Sequence, residues 1–482
     1  MKGKTSLKLL VILCLLLFLM GCKAEASEVT EITFIHGWGS TEADHESMRQ
    51  IYRDFEAENP DIRINMISMP TSDEVVRKAE DMIMVGTVPD IIFLGGKGID
   101  SIYEYMVENN YALDLAPHME ADPEFASNLA PSNVEYWTTE DGALYSVSDV
   151  LILGGGYWYN EKIFRAVGIT EPPQTWDEFE TACMRIDQWA EREENGVHAM
   201  QLSAEGYLHF MDHILASMGT SVLDGKLEMT YEELTKALDI LNRLHGYSAG
   251  KDGNYTYRDE TSLFNAGKLA IYVNGVWGAA MIHQNMEASY ALLPAGENSI
   301  CCESAGSGYI LGNTGDAMRQ EASVRFLKYM MSPAVQERIL LETQQMAANP
   351  NLNIRDYADQ MPRFCQAVAT AQQARIKIEI PEQLWSNQQS AVFYEHIYDL
   401  LNGAFNRQTF YDLLRLKIGE KTGCICSRFL LFLQMKHRVF VHDFGQVNRI
   451  QNSGKEITFQ SKTSSFRIKS ATKRKNRTVL QQ

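Results

Sequence analysis

The stretch Phe264-Asn-Ala-Gly-Lys-Leu-Ala-Ile-Tyr-Val-Asn-Gly-Val-Trp-Gly-Ala-Ala-Met281 indicates how the chain is organised. Its apolar, partly β-branched run at residues 269–273 predicts a buried strand, and Asn274-Gly275 ends that strand with a sharp turn before a helix. Trp277 therefore lies beyond the carboxyl end of a strand, where open α/β sheets bind ligands. The position suits either a lid on the core or a platform for a ligand, and the rest of the chain favours the platform.

Length and charge restrict the classes of protein to consider. A chain of 482 residues is too long for one typical core, which predicts two lobes. The net charge of -18 argues against a nucleic-acid partner, because neutralising phosphates requires a surplus of Lys and Arg. The charge is uneven: residues 421–482 carry thirteen basic and two acidic residues, so the first 420 residues carry -29.

The N-terminal segment has the pattern of an export signal. Lys2, Lys4 and Lys8 precede an apolar run at residues 9–20, which is too short to span a bilayer. The run ends in Leu19-Met-Gly-Cys22, which resembles the lipobox of bacterial lipoproteins, whose cysteine is acylated and becomes the first mature residue. We therefore expect residues 1–22 to be a lipoprotein signal, and Cys22 to anchor the protein to the extracytoplasmic face of the cell membrane. The alternative is an ordinary signal peptide with a chance cysteine.

The remaining six cysteines show no CxxC spacing and no regular framework. We expect them to be buried thiols, with no structural metal, no cofactor and no obligatory disulfide.

Hydrophobic periodicity predicts an α/β first lobe. Strands alternate with amphipathic helices over residues 31–94, an order that implies right-handed crossovers and a parallel sheet covered on both faces. Farther along, Thr175 with Glu178 and Thr230 with Glu233 have the spacing of capping boxes and predict two helix starts. The three glycines at 154–156 are compatible with a hinge, and equally with a β-bulge or a tight strand end.

Seven short segments follow one another in an order typical of one family. They are Thr33-Phe-Ile-His-Gly-Trp38, Phe55-Glu-Ala-Glu-Asn-Pro60, Pro89-Asp-Ile-Ile-Phe-Leu94, Trp158-Tyr-Asn-Glu-Lys-Ile-Phe164, Pro172-Pro-Gln-Thr-Trp-Asp-Glu-Phe179, Val273-Asn-Gly-Val-Trp-Gly278 and Phe326-Leu-Lys-Tyr-Met-Met-Ser-Pro333. Together they resemble the extracellular sugar-binding proteins of ABC importers, the group that includes maltose-binding protein. The resemblance covers roughly residues 30–418.

This resemblance implies a two-lobed periplasmic-binding-protein-like fold, with parallel-sheet lobes joined by a three-crossing hinge and a ligand held between them. Lobe 1 would comprise residues 29–150 and 309–343, and lobe 2 residues 151–308 and 344–418. The implied crossings lie near residues 149–153, 306–310 and 343–349. The implied partners are a carbohydrate ligand and the transmembrane subunits of an ABC permease, and we expect a monomer.

Two tryptophans from different lobes, Trp38 and Trp277, would form a sugar clamp. An aromatic ring suits the apolar C–H face of a pyranose, while ionised carboxylates accept hydrogen bonds from its hydroxyl rim. The candidate ligand-binding residues are Trp38, Ser40, Glu42, Asp44, Gly96, Asp149, Trp158, Asn274, Trp277, Tyr309 and Trp385. For Glu42 and Asp44 there is a simpler explanation, since acidic residues in a first helical turn are favoured by the helix dipole.

Two other functions use similar residues. A cation receptor of the same fold, for polyamines or betaines, would use the aromatic and acidic residues as a box. A surface glycosidase would need two suitably spaced carboxyl groups, but 62 acidic residues make such a pair uninformative. The chain contains no GxSxG, HExxH or P-loop pattern, and we therefore predict a binding protein rather than an enzyme.

The basic tail, residues 419–482, departs from the family pattern. Its charge is compatible with binding to anionic surface polymers or lipid head groups. The favoured explanation is a frameshift or gene-prediction error, which would leave the tail unstructured and dispensable.

Overall fold

A computed structural model describes residues 29–41, 43–70, 72–95, 102–251, 253, 255–296 and 298–415, and the short segments 452–453, 456–460 and 465–469. The described residues fall into two units, divided between Leu414 and Arg415. The expected lipidation site Cys22 and the candidate ligand residues Glu42 and Gly96 lie outside the described residues.

The first sheet begins with the predicted alternation of strands and helices. Its leading elements are β1 (Thr30–His36), α1 (Ala43–Glu58), β2 (Ile62–Ser68), α2 (Ser72–Met84) and β3 (Ile91–Gly95). As predicted, β1 is parallel to both β2 and β3. The α1 stripe of Met48, Ile51, Tyr52 and Phe55 is fully buried, which confirms the helical period read from the sequence.

Two later strands, β4 (Ser146–Ser148) and β10 (Gly308–Leu311), complete this sheet. The strand order is β2-β1-β3-β10-β4. Strand β10 runs antiparallel to both of its neighbours, so the sheet is mixed rather than purely parallel. The helices between β3 and β4 are α3 (Tyr103–Glu108), α4 (Ala116–Ala121), α5 (Pro123–Ser127) and α6 (Pro131–Trp137).

Seven more strands form two smaller sheets; they are β5 (Val150–Gly154), β6 (Gly156–Asn160), β7 (Ile271–Val273), β8 (Ala288–Leu292), β9 (Ile300–Ala305), β11 (Met346–Ala347) and β12 (Ile376–Ile378). The strand orders are β11-β5-β9-β12 and β7-β6-β8. Only β9 and β12 pair in parallel. This corrects the expectation of a parallel second lobe: the direction of pairing between distant strands depends on how the chain returns, which local periodicity does not encode.

Helices surround these sheets. They are α7 (Glu161–Ala166), α8 (Trp176–Arg192), α9 (Ala204–Ser217), α10 (Tyr231–His245), α11 (Tyr257–Asn265), α12 (Gly278–Met281), α13 (Ala317–Met331), α14 (Pro333–Thr343), α15 (Pro362–Gln372), α16 (Pro381–Leu384), α17 (Asn387–Leu401) and α18 (Arg407–Leu414). Both predicted capping boxes are present: Thr175 and Glu178 cap α8, and Thr230 and Glu233 cap α10.

Two clusters of buried apolar residues, here called cores, draw on alternating ranges of the chain. One contains residues from the ranges 32–150 and 305–339, and the other contains residues from 153–301 and 340–371. The chain therefore passes between these two cores three times. These passages lie close to the three implied crossings, and the exact lobe boundaries stay a prediction.

The glycine triplet forms a tight connection between strands. Gly155 separates β5 from β6, which belong to different sheets, and has a φ of 77°. A Cβ atom there would approach the backbone nitrogen of Cys302 to 2.8 Å. Gly155 therefore forms a tight strand end, and the role of the triplet as a hinge stays a prediction.

The tail contains three antiparallel strands, where the sequence favoured an unstructured segment. They are β13 (Asn452–Ser453), β14 (Glu456–Gln460) and β15 (Ser465–Lys469). Alternating apolar and polar residues in β14 and β15 are typical of strands. Throughout the described residues, every helix is too short or too polar to cross a bilayer.

Candidate functional site

Trp38 lies in the loop that follows β1, at the carboxyl end of the first sheet. Its ring stacks on Phe93 with a centroid distance of 5.7 Å and an interplanar angle of 24°. The edge of His45 meets it at 4.9 Å and 87°. Trp38 is 9% exposed, so only a small part of its surface is available to a ligand.

Two imidazoles hold this loop as hydrogen-bond acceptors. The Trp38 backbone N–H donates to Nδ1 of His36 at 3.1 Å, and the Ser40 N–H donates to Nδ1 of His45 at 3.2 Å. Arg49 donates to the carbonyl oxygens of Trp38 and Ser40. The conformation of the loop is therefore set by side chains of β1 and α1.

His36 is neutral in this arrangement. Burial, the positive charge of Arg49 and the proximity of His45 together lower its pKa to about 3. Because Nδ1 accepts a hydrogen bond from Trp38, the proton of the neutral ring lies on Nε2. That nitrogen donates to the Ser68 hydroxyl at 3.1 Å.

Asp149 connects β4 to β5 and is completely buried. The Tyr309 hydroxyl donates to its Oδ2 at 2.7 Å, and the hydroxyls of Tyr309 and Tyr52 are 3.3 Å apart. Burial raises the pKa of Asp149 to about 7, although the hydrogen bond from Tyr309 opposes the increase. Among the described residues, Oδ1 of Asp149 has no hydrogen-bond partner.

Aromatic packing links Trp38 to Asp149. Phe93, which stacks on Trp38, also packs against Tyr309 with a distance of 4.4 Å between ring centroids. The Trp38 indole N–H approaches the Tyr52 hydroxyl but forms no hydrogen bond of ordinary geometry within the described part of the chain. The structure thus brings together three sequence candidates, Trp38, Asp149 and Tyr309. Phe93 and Tyr52 belong to the same group of side chains, although the sequence pattern predicted them only as core residues.

Trp277 precedes α12 and is half-buried. Its six-membered ring lies against Gly154, at the end of β5, and against Gly275. For Gly154, a Cβ atom would be 3.6 Å from the ring, which is an ordinary contact. Trp277 therefore combines an apolar ring surface, partial exposure and a rigid backbone behind the ring.

Trp158 and Asn274 hold the backbone of this turn. Trp158 is completely buried, and its indole N–H donates to the Gly275 carbonyl at 2.9 Å. The Asn274 side chain accepts from the Gly275 N–H at 2.9 Å and donates to the Tyr272 hydroxyl. The sequence predicted ligand contacts for both residues; in the structure their polar atoms support Trp277 from within the protein.

Trp385 and Tyr309 also lie in the interior, although both were candidate ligand contacts. Trp385 is 1% exposed, and its N–H donates to Oδ1 of the buried Asp212 at 2.6 Å. Distant segments supply hydrogen-bond partners for the polar atoms of both residues, so neither is buried with an unpaired donor. Asp44, by contrast, is partly exposed at the start of α1 and accepts from the His45 N–H at 2.9 Å.

Over the described residues, no group of three His, Cys, Asp or Glu side chains is placed to hold a metal ion. Four cysteines in the same part of the chain, Cys183, Cys301, Cys302 and Cys365, are free thiols. The chemistry that this region offers is aromatic contact and hydrogen bonding.

Comparison with known proteins identifies the family. The family model described as bacterial extracellular solute-binding protein matches residues 50–363, more than half of the chain. A putative binding protein of Brucella abortus is 24% identical over 257 residues, which is 51% of this chain and 59% of that protein. A multiple sugar-binding protein of Streptococcus mutans is 26% identical over 157 residues, 33% of this chain and 34% of that protein. Both alignments span less than two thirds of the relative's own length.

Solved structures share the fold. A Streptococcus pneumoniae solute-binding protein in complex with the blood group A-trisaccharide has a TM-score of 0.67 at 22% identity, covering 80% of this chain and 98% of its own. Maltose-bound MalE3 of T. maritima has a TM-score of 0.64 at 18% identity, with the same coverage. A Listeria monocytogenes ABC substrate-binding protein in complex with cycloalternan has a TM-score of 0.64 at 18% identity, covering 80% and 97%. Together with the match at residues 50–363, this fold shows that the chain belongs to the bacterial extracellular solute-binding proteins.

Proposed function

We propose that this protein captures a sugar or oligosaccharide between its two lobes and delivers it to an ABC permease without chemical change. Membership of the family implies a solute-binding role outside the cytoplasm. The choice of carbohydrate as the solute is our inference. It is motivated by the saccharides bound to proteins of the same fold and by the aromatic surface described above.

The observation that carries this proposal is the placement of Trp277. Among the tryptophans predicted to bind ligand, Trp277 alone keeps a partly exposed ring with rigid backbone behind it, whereas Trp158 and Trp385 are buried. A flat indole held in this way suits the C–H face of a pyranose. A cation box would instead need several accessible aromatic faces around one charge.

The first lobe would supply the second aromatic face and the polar contacts. Trp38 is held at the end of β1 with a small exposed area, beside the partly exposed Ser40 and Asp44. A carboxylate such as that of Asp44 accepts strong hydrogen bonds from sugar hydroxyls. Glu42 and Gly96 stay candidates for the same lobe.

We assign Asp149 to the connection between lobes rather than to direct ligand contact in this conformation. Asp149 itself lies in the first implied crossing, its side chain is completely buried, and Tyr309, in the second implied crossing at residues 306–310, donates to it. Its backbone carbonyl accepts from the N–H of Ala348 at 3.2 Å, in the third implied crossing at residues 343–349. Asp149 thus connects segments from all three implied crossings, and we propose that it stabilises the hinge.

The location proposed for the protein is the outer face of the cell membrane. The Leu19-Met-Gly-Cys22 pattern motivates a lipid anchor, and the family motivates a permease partner. Mass spectrometry of the protein extracted from membranes should find acyl chains on an N-terminal Cys22. An unmodified cysteine, or a mature chain starting elsewhere, would contradict the anchor alone.

A ligand screen tests the proposed solute. Thermal unfolding of the purified protein should be followed with maltose, maltotriose, cycloalternan, blood group A trisaccharide, glycine betaine and spermidine. A ligand present at a hundredfold its dissociation constant adds about 2.7 kcal/mol of stability. We expect a saccharide to raise the melting temperature, and glycine betaine and spermidine to leave it unchanged. Stabilisation by betaine or spermidine alone would overturn the carbohydrate proposal.

Product analysis separates binding from hydrolysis. The saccharide that stabilises the protein should be incubated with it overnight and then analysed by chromatography. We expect full recovery of the intact saccharide. Release of shorter sugars in proportion to protein concentration would identify a glycosidase instead.

A further inference from the structure

The indole of Trp277 packs against the backbone of Gly275. Three carbons of its six-membered ring, Cζ3, Cη2 and Cε3, lie 2.0, 2.3 and 2.4 Å from the position that a Cβ atom would occupy on Gly275. Normal contact between carbon atoms requires roughly 3.5 Å. Any side chain at position 275 would therefore displace the ring by roughly 1.5 Å.

Space, and not backbone conformation, is the reason for glycine at this position. Gly275 is not among the residues with positive φ, so its φ does not call for glycine, whereas Gly155 has a φ of 77°. The three atoms nearest to a Cβ at Gly275 all belong to the ring of Trp277, and their distances are enough to exclude a side chain there. This distinguishes Gly275 from a glycine that only permits a turn.

The backbone under the ring has little freedom to move away. The Gly275 N–H donates to Asn274 and its carbonyl accepts from Trp158, both at 2.9 Å. The next N–H, of Val276, donates to the Leu153 carbonyl at 3.0 Å and so ties the turn to β5. Because these bonds hold Gly275 from both sides, a steric conflict would be relieved by movement of the Trp277 ring.

We propose that Gly275 is a positioning residue that sets the height and tilt of the Trp277 ring, and thereby the shape of sugar that the site accepts. The effect on ligand selection depends on the proposed function. The effect on the ring does not, because it follows from the contact between two residues of the free protein. The tests below keep these two parts separate.

Gly154 provides a matched control. It contacts the same ring, but a Cβ atom there would lie 3.6 Å from Cη2 and 3.7 Å from Cζ3, which are ordinary van der Waals distances. Gly154→Ala should leave the ring in place, whereas Gly275→Ala should move it. The two substitutions add the same methyl group to backbone beneath the same indole.

Fluorine NMR of the unliganded protein tests the ring position directly. All seven tryptophans should be labelled with 7-fluorotryptophan, whose fluorine lies on Cζ2 and not on one of the three closest carbons. Trp277→Phe identifies the Trp277 resonance by its loss. We expect Gly275→Ala to shift that resonance and to leave in place those of the five tryptophans other than Trp158, whose N–H donates to the Gly275 carbonyl. Gly154→Ala should shift the Trp277 resonance far less. An unchanged Trp277 resonance in Gly275→Ala overturns the inference, as does a shift of all seven resonances, which would indicate a general structural change.

A double-mutant cycle tests the effect on ligand. Calorimetric titrations with maltotriose, cycloalternan and blood group A trisaccharide should compare wild type, Gly275→Ala, Trp277→Phe and the double variant. Phenylalanine lacks the ring atoms that conflict with a Cβ atom at position 275. Gly275→Ala should therefore weaken binding at least tenfold when residue 277 is tryptophan, and less than twofold in the Trp277→Phe background. Equal losses in both backgrounds would show that Gly275 does not act through Trp277. If wild type binds none of the three while the fluorine shift is observed, the proposed function fails for these sugars and the positioning of the ring still holds.

Discussion

The buried carboxyl of Asp149 makes the stability of the protein depend on pH in a defined direction. Burial raises its pKa from the ordinary value of 3.8 to about 7 in the folded protein. Between these values the folded state holds a proton that the unfolded state has lost. The contribution of Asp149 to stability is therefore greatest below about pH 4, falls as the pH rises, and becomes constant again above about pH 7.

The size of the effect follows from the same two values. Each pH unit across the interval corresponds to about 1.4 kcal/mol, so Asp149 destabilises the fold by about 4 kcal/mol at pH 8 relative to pH 4. Asn cannot ionise, and its carbonyl oxygen can still accept the hydrogen bond from Tyr309. Asp149→Asn should match wild type at pH 4 and exceed its free energy of unfolding by about 4 kcal/mol at pH 8.

Urea unfolding at pH 4, 5, 6, 7 and 8, followed by tryptophan fluorescence, measures this difference. Other titrating groups contribute equally to both proteins and cancel in the comparison. Asp224→Asn, at an exposed position, should follow the wild-type profile throughout. Parallel profiles for Asp149→Asn and wild type, within about 1 kcal/mol at every pH, would refute the assignment of a buried, protonated acid at the hinge.

Three further substitutions test other parts of the structure. Burial raises the pKa of Glu260 to about 8, so Glu260→Gln should gain stability relative to wild type as the pH rises from 4.5 to 8, by an amount comparable to that of Asp149→Asn in the same urea series. Thr175→Ala removes the capping hydroxyl of α8 and should lower the free energy of unfolding by about 1 kcal/mol at pH 7, whereas an unchanged urea midpoint would show that the cap contributes nothing. Trp385→Phe removes the indole donor to the buried Asp212 and should lower the free energy of unfolding by roughly 1–3 kcal/mol. Calorimetry should find the saccharide affinity of this variant unchanged. Weaker binding would indicate that Trp385 contacts the ligand.

Features encoded by neighbouring residues were predictable from the sequence. The cap of α8 depends on Thr175 and Glu178, three positions apart, and both signals are visible in one short window. The buried face of α1 depends on the spacing from Met48 to Phe55. The parallel order of β1, β2 and β3 follows from the helices between them.

Features that depend on distant residues were not predictable. Trp38, Trp277 and Trp385 look alike in the sequence, yet Trp385 is buried and donates its N–H to Asp212, 173 residues away. The contact between Tyr52 and Tyr309 spans 257 residues, so nothing local distinguished Tyr52 from an ordinary core tyrosine.

The direction of strand pairing in the smaller sheets could not be predicted either, because it also depends on residues far apart in the sequence. Strands β5 and β9 are separated by more than a hundred residues and meet antiparallel. The motif Asn274-Gly-Val-Trp277 contained one signal that the sequence analysis did not use, since a glycine two positions before a half-buried tryptophan can lie against its ring.

Calorimetric titration of Trp277→Ala tests the central claim most directly. The saccharide that stabilises the wild-type protein should be titrated into wild type, Trp277→Ala and Trp189→Ala, the last of which removes another half-buried tryptophan on α8. We predict that Trp277→Ala weakens binding at least tenfold, which corresponds to about 1.4 kcal/mol or more, while Trp189→Ala binds as wild type does. Equal affinity of all three proteins would contradict the claim that a sugar rests on Trp277.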